Sequence, residues 1–256
     1  RGVSSVSSSV GTIGSPQMVV GRYSEHEPNK RLWLDGELIL HTSIATNVST
    51  ITYLDSYVGI GASFNDNSNL ASYLNGNISE ILVFDDALED HVIDQISFYL
   101  SEKWGLSVVS ADLDFDGDGY TNSEEDLLDG SGTNKQNPAQ VISLDLSDVM
   151  DTYITSTTIN AEVESDLVLW LDASNINASS NSDISEGAVV TRWLDLSGNG
   201  HVAVQNLSSA MPSINSVLQN NRDVVAFDGV SNALDVGSDL FSSEHTLTIF
   251  VVAEPN

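Results

Sequence analysis

The pattern that most constrains this chain is a series of short runs in which apolar and polar residues alternate, separated by Gly, Asn and Ser. Such alternation is typical of strands with one buried face, and its repetition predicts an antiparallel β-sandwich. The runs fall within residues 1–107 and 166–256. The predicted strands include residues 18–22, 31–36, 37–40, 57–61, 76–84, 167–171, 188–194, 223–227 and 247–252.

One helix is predicted over residues 87–104. Asp86 and Glu89 have the spacing of a capping box at its start, and Gly105 provides a C-terminal stop. Four apolar residues recur at helical spacing on the face that we expect to cover the sheet, namely Leu88, Val92, Ile96 and Tyr99.

The charge is strongly negative, with 8 Lys and Arg against 37 Asp and Glu and a formal net charge of −29. Such a surface repels nucleic acid and anionic lipid, so neither is an expected partner. The chain has no run of apolar residues long enough to insert into a membrane. It also has no cysteine, which excludes disulfides and thiolate metal sites. We therefore expect oxygen-ligated calcium to stabilise the fold in place of disulfides.

A calcium loop is predicted between residues 114 and 125. Its ligands follow the EF-hand spacing, with Asp114, Asp116 and Asp118 at positions 1, 3 and 5, the carbonyl of Tyr120 at 7, Asn122 at 9 and Glu125 at 12. Gly119 occupies the sharp turn at position 6. Oxygen ligands and a bidentate glutamate favour calcium over magnesium.

The residues before this loop are not helical in pattern, so residues 108–140 resemble the aspartate-rich calcium repeats of bacterial surface proteins, similar to thrombospondin type 3 repeats. We interpret the segment as a structural brace and not as a calcium sensor. Asn134 stands where these repeats usually have an aspartate, so the binding of a second calcium ion stays an open question. Residues 141–165 are rich in Ser, Thr and Asp and are interpreted as a linker.

The flanking segments resemble the two ends of one domain family. Residues 75–88 together with 99–105, which end in Tyr-Leu-Ser-Glu-Lys-Trp-Gly, are similar to the C-terminal end of a laminin G-like jelly-roll domain of the bacterial concanavalin A-like superfamily. Residues 167–174, 192–200 and 225–229 are similar to the N-terminal end of the same family. The resemblance implies a mainly β protein with an antiparallel jelly-roll sandwich.

The order of these halves is reversed. We interpret the chain as the end of one domain, a calcium linker and the start of the next domain, within a longer protein. Each half alone would leave an apolar face bare, so we expect residues 1–107 and 166–256 to pair as a permuted sandwich. Trp33 and Trp170 should then lie in one domain, with the calcium loop outside it near the end of the helix.

Two polar loops are weaker candidates for binding. Asp195 and Asn199 could bind an ion or cap their own loop, and the second role is favoured. Residues 63–69, followed by Tyr73, carry amides beside an aromatic ring, as in some sugar sites, although a solvated loop is favoured.

Catalysis is not expected. Glu162, Glu164 and Asp166 alternate as do the acids of concanavalin A-like glucanases, but they lie at the end of the linker with different spacing. We expect no acid pair on a core strand. The function that we expect is a calcium-binding, carbohydrate-binding or adhesion module of a large secreted or cell-surface bacterial protein. The alternatives are part of a glycoside hydrolase and a passive, calcium-stiffened spacer.

Overall fold

The computed structural model describes residues 14–24, 30–42, 58–64, 70–107, 166–237, 240 and 246–256. Its elements before residue 108 are β1 (Gln17–Tyr23), β2 (Lys30–Leu34), β3 (Glu37–Thr42), β4 (Val58–Ile60), β5 (Ala62–Phe64), β6 (Leu70–Tyr73), β7 (Asn75–Phe84) and α1 (Asp90–Trp104). Those after residue 165 are β8 (Leu167–Asp172), β9 (Arg192–Leu194), β10 (Val202–Val204), β11 (Ser213–Gln219), β12 (Arg222–Asp228), β13 (Leu234–Gly237) and β14 (Leu247–Pro255). The predicted calcium loop and linker lie outside the described residues.

The described part is mainly β, and its strands pair in antiparallel fashion. An eight-stranded sheet has the order β11-β12-β7-β14-β1-β2-β3, with β8 also paired to β7. The long strand β7 has β14 along one edge, while β12 and β8 share its other edge, opposite residues 75–78 and 80–84. A smaller sheet has the order β4-β13-β10-β9, and β5 and β6 form a hairpin.

The two segments of the chain share their sheets. In the large sheet, β14 lies between β1 and β7, and β8 and β12 also pair with β7. In the small sheet, β4 pairs with β13. The predicted pairing of residues 1–107 with residues 166–256 is therefore confirmed, and Trp33 and Trp170 lie in the same core cluster.

The large sheet is covered on both faces. Leu82 and Phe84 of β7 point to the face that packs against α1, whereas Ile81 and Val83 point to the small sheet. This alternation produces two buried clusters, one on each side. The fold is thus a sheet-on-sheet packing, as in a β-sandwich, with α1 on the outer face of the larger sheet.

The helix begins later than predicted. Its first residue is Asp90, and Glu89 precedes it without a capping bond from its side chain. The reason is tertiary, because Thr248 of β14 accepts a hydrogen bond from the backbone N–H of Leu88 and donates one to the carbonyl of Asp86. These contacts hold residues 86–88 outside the helix. The predicted stop is confirmed, since Gly105 adopts the left-handed conformation at φ 67°.

The predicted strand at residues 188–194 is shorter than expected. Only Arg192–Leu194 form β9, and Val189 makes an isolated bridge to Ser213. The other predicted strands are confirmed, with observed ends that lie at most three residues from the predicted ones. The largest difference is at the end of β14, and residues 31–40 fold as the β2–β3 hairpin.

Candidate functional site

Two carboxylates and one ammonium meet between α1 and the large sheet. Glu80 of β7 lies directly opposite Asp172 of β8 in the register of the two strands. The Nζ atom of Lys103, in the last turn of α1, lies 2.8 Å from Oε2 of Glu80 and 2.7 Å from Oδ2 of Asp172. The exposed fraction is 1% for the Lys103 side chain and 0% for both acids. One buried cation thus joins two strands and the helix, and we call these three residues the ion cluster.

Aromatic side chains enclose the ion cluster. Trp170 donates its indole N–H to Oε1 of Glu80 over 2.7 Å, and Trp104 donates its own to Oε2. Lys103 donates to the hydroxyl of Tyr99 over 3.1 Å. Its Nζ also lies 5.3–5.9 Å from the ring centroids of these three aromatic residues, within the range of cation–π attraction. Hydrogen bonds therefore replace the water that burial removed from these charges.

The environment shifts the pKa of three groups. Burial raises the pKa of the Glu80 carboxyl, although the positive charge of Lys103 opposes this shift. Burial by itself lowers the pKa of Lys103, but the nearby acidic groups outweigh it, so this pKa lies above its usual range. Burial, with the charge of Glu80, also raises the pKa of the Tyr99 hydroxyl. Lys103 therefore stays charged, and Tyr99 stays neutral, at pH 7.

The last turn of α1 is tied to the turn between β11 and β12. Gln219 donates to the carbonyl of Trp104, while Asn220 and Arg222 both donate to the carbonyl of Lys103, over 3.0–3.1 Å. These carbonyls would otherwise lack partners at a helix end. The contacts fix Lys103 in position above the two strands.

The ion cluster contradicts the expectation that no acid pair lies on core strands. A signal was present in the sequence, because Glu80 precedes an entirely apolar run and Lys103 lies one turn from Tyr99 on the apolar face of the helix. Lys and Glu are almost never fully buried unless paired. A glycosidase acid pair must reach a sugar bond, and these carboxylates are closed to solvent, so the geometry supports a structural role.

The loop that begins at Asp195 is a capped turn. Oδ1 of Asp195 accepts the N–H groups of Trp170 and Ser197, both over 2.9 Å, and Oδ2 accepts the Ser197 hydroxyl over 2.8 Å. Asn199 donates its amide to the carbonyl of Leu167 over 2.8 Å. The favoured loop-capping role is confirmed.

An open cleft of about 440 Å³ lies beside β9 and β10. Its lining residues are Thr191, Arg192, Val204, Gln205, Asn206 and Met211. Trp193 and Ala203 are 0% exposed and point to the large sheet. Because side chains alternate along a strand, Arg192 and Val204, which are register partners, point to the outer face. Thr191, Arg192 and Asn206 are exposed, whereas Val204 and Met211 are half-buried. We call this feature the Arg192 cleft.

The other predicted sites are only partly covered by the structure. Asp114, Asp116, Asp118, Tyr120, Asn122 and Glu125 all lie outside the described residues, as do Glu162, Glu164 and most of the amide-rich loop between β5 and β6. Within the described ranges, no three His, Asp or Glu side chains are grouped so that they could hold a metal ion.

Comparisons of the chain with protein families, curated proteins and solved structures found no match. In the described part of the chain, no helix has both the length and the apolar character needed to cross a membrane.

Proposed function

We propose that this chain is a non-catalytic, calcium-binding and carbohydrate-binding or adhesion module of a large secreted or cell-surface bacterial protein. The observation that carries the proposal is a contrast between two sites. The acid pair of the ion cluster is sealed in the core, while the Arg192 cleft is open and lined by polar groups at its rim. Open clefts with a few polar groups over an apolar floor are typical of ligand sites.

The proposal includes a jelly-roll sandwich of the concanavalin A-like type in permuted order. Its support is the pairing of both segments in antiparallel sheets that enclose a common core. It also includes calcium bound by Asp114, Asp116, Asp118, Tyr120, Asn122 and Glu125, whose oxygen donors suit a hard divalent ion. In the sequence, residues 108–165 connect α1 to β8. Calcium bound there would stiffen this connection between the two paired segments.

A glycan array probed with the tagged chain tests this function. In calcium-containing buffer we expect binding to a restricted set of glycans. Binding to none of them would favour the passive spacer. Release of products from bound glycans during incubation would favour the glycoside hydrolase instead.

A further inference from the structure

We propose that the Arg192 cleft binds a uronic acid that ends an otherwise neutral glycan, with Arg192 as the ligand of its carboxylate. This inference rests on the proposed glycan binding and adds the site and the chemical class of the sugar.

Arg192 differs from the other cationic residues. Among the Lys and Arg side chains that the structure describes, it alone takes part in no hydrogen bond or ion pair. Arg22 and Arg31 both pair with Asp90, and Lys103 belongs to the ion cluster. Acids outnumber bases 37 to 8 in this chain, so an exposed arginine that pairs with none of the described acids is notable. No described side chain occupies its guanidinium, and we infer that an external anion binds it.

The lining of the cleft suits an acidic sugar. Arginine presents a planar set of N–H donors that can bind a carboxylate in bidentate fashion. The Thr191 hydroxyl and the Asn206 amide, both exposed, can each donate to and accept from sugar hydroxyls. Val204 and Met211 offer an apolar surface for the C–H face of a pyranose ring. This mixture favours a sugar over a simple carboxylate ion.

Gln205 has a different role in the same cleft. Its amide nitrogen donates to the carbonyl of Ala233 over 2.7 Å, and its amide oxygen accepts the N–H of Leu207 over 3.0 Å. Both ends of the side chain are therefore occupied. Gln205 holds the loop that carries Asn206, and Arg192, Thr191 and Asn206 remain as the groups that can bind a ligand.

A neighbouring acid disfavours a second carboxylate on the ligand. Asp235 of β13 is the register partner of Val204, which in turn is the partner of Arg192. Asp235 is therefore two strand spacings from Arg192, roughly 10 Å along the same row. Its Oδ1 accepts the N–H of Gly237. A sugar hydroxyl can donate to a carboxylate, whereas a second acidic group would be repelled.

The net charge of the whole chain also disfavours a ligand with several carboxylates. A net charge of −29 repels a densely charged polyanion. A single carboxylate on a neutral glycan meets much less repulsion, and screening over about 10 Å at 0.1 M salt reduces it further. We therefore infer an isolated or terminal uronic acid and not a polyuronate.

Titrations of the full chain, followed by NMR, test the proposal with four probes: methyl β-glucuronide, methyl β-glucoside, acetate and a polyuronate. We expect saturable shifts with the glucuronide at Thr191, Arg192 and Asn206. The glucoside and acetate should bind at least about tenfold more weakly, because each lacks part of the recognised group. Arg192→Gln should weaken glucuronide binding by a similar factor. Arg22→Gln is the matched control and should leave it unchanged.

The outcomes separate this inference from the proposed function. Equal binding of glucoside and glucuronide would overturn the role of the carboxylate, and equal binding of acetate would overturn the role of the sugar. Preference for the polyuronate would overturn the restriction to one carboxylate. Absence of glucuronide binding, together with glycan-array binding that survives Arg192→Gln, would overturn the inference and leave the proposed function in place. Absence of binding in both experiments would overturn both the inference and the proposed function.

Discussion

Glu80 and Asp172 lie opposite each other on adjacent strands from the two segments of the chain, and the Lys103 ammonium binds both carboxylates. Residues that are distant in the chain therefore depend on one another. Electrostatic contacts as well as apolar packing therefore hold the two segments together.

Removal of the cation should destabilise the fold strongly. In Lys103→Met, two buried carboxylates lose their partner, and the free energy of unfolding should fall by about 3–5 kcal/mol. Urea denaturation measures this change. Arg192→Gln also removes one positive charge, but from an exposed site, and should change the free energy of unfolding by no more than about 0.5 kcal/mol. A loss below about 1 kcal/mol in Lys103→Met would contradict the importance of the ion cluster.

The ion cluster also predicts a loss of stability at alkaline pH. The pKa of Tyr99 is raised in the folded chain, whereas an unfolded tyrosine ionises near pH 10. The unfolded state therefore releases a proton first, and stability falls as the pH rises above about 10. The raised pKa of Lys103 acts in the same direction. Urea unfolding between pH 8 and 11 should show a shallower fall in Tyr99→Phe than in the parent chain, and parallel curves would refute this prediction.

Calcium should bind to one tight site. In calorimetric titration of the chelator-treated chain, we expect about one equivalent of calcium, because the loop offers one full EF-hand ligand set. Asp118→Ala should abolish the site. Asp183→Ala removes an exposed acid from the described part and should not affect binding. No uptake by the parent chain would exclude the calcium proposal.

The segments should remain together after the chain is cut. A protease site placed within residues 141–165 would give two pieces that still share the β7–β8, β7–β12, β7–β14 and β1–β14 ladders. We expect the pieces to co-elute in native size-exclusion chromatography and to separate in denaturant. Separation under native conditions would show that these ladders do not hold the pieces together.

Common β-glucans and galactans should not be hydrolysed. The sealed position of Glu80 and Asp172 keeps them from a polysaccharide, and Glu162 and Glu164 lack the glucanase spacing. Release of reducing ends should stay at the level of a heat-inactivated control. Activity above that level, lost in Glu162→Gln, Glu164→Gln or Glu80→Gln, would identify a catalytic acid.

The local sequence pattern was sufficient to predict most strands and the end of the helix. Their apolar runs located β7 and β14 as strands, and Gly105 marked the helix end because it accepts a left-handed conformation. The predicted start of α1 was wrong by three residues. The deciding hydrogen bonds come from Thr248, which is distant in the chain.

By itself, the sequence determined the β class, the strand-forming runs, the negative charge and the spacing of the proposed calcium ligands, since each follows from neighbouring residues. Only the tertiary structure decided that Lys103 lies between Glu80 and Asp172, and that Arg192 faces an open cleft. The physical reason is that strand pairing sets which distant side chains meet. The sequence around an acidic residue, a lysine or an arginine does not show whether its charge is buried with a partner or exposed to a ligand.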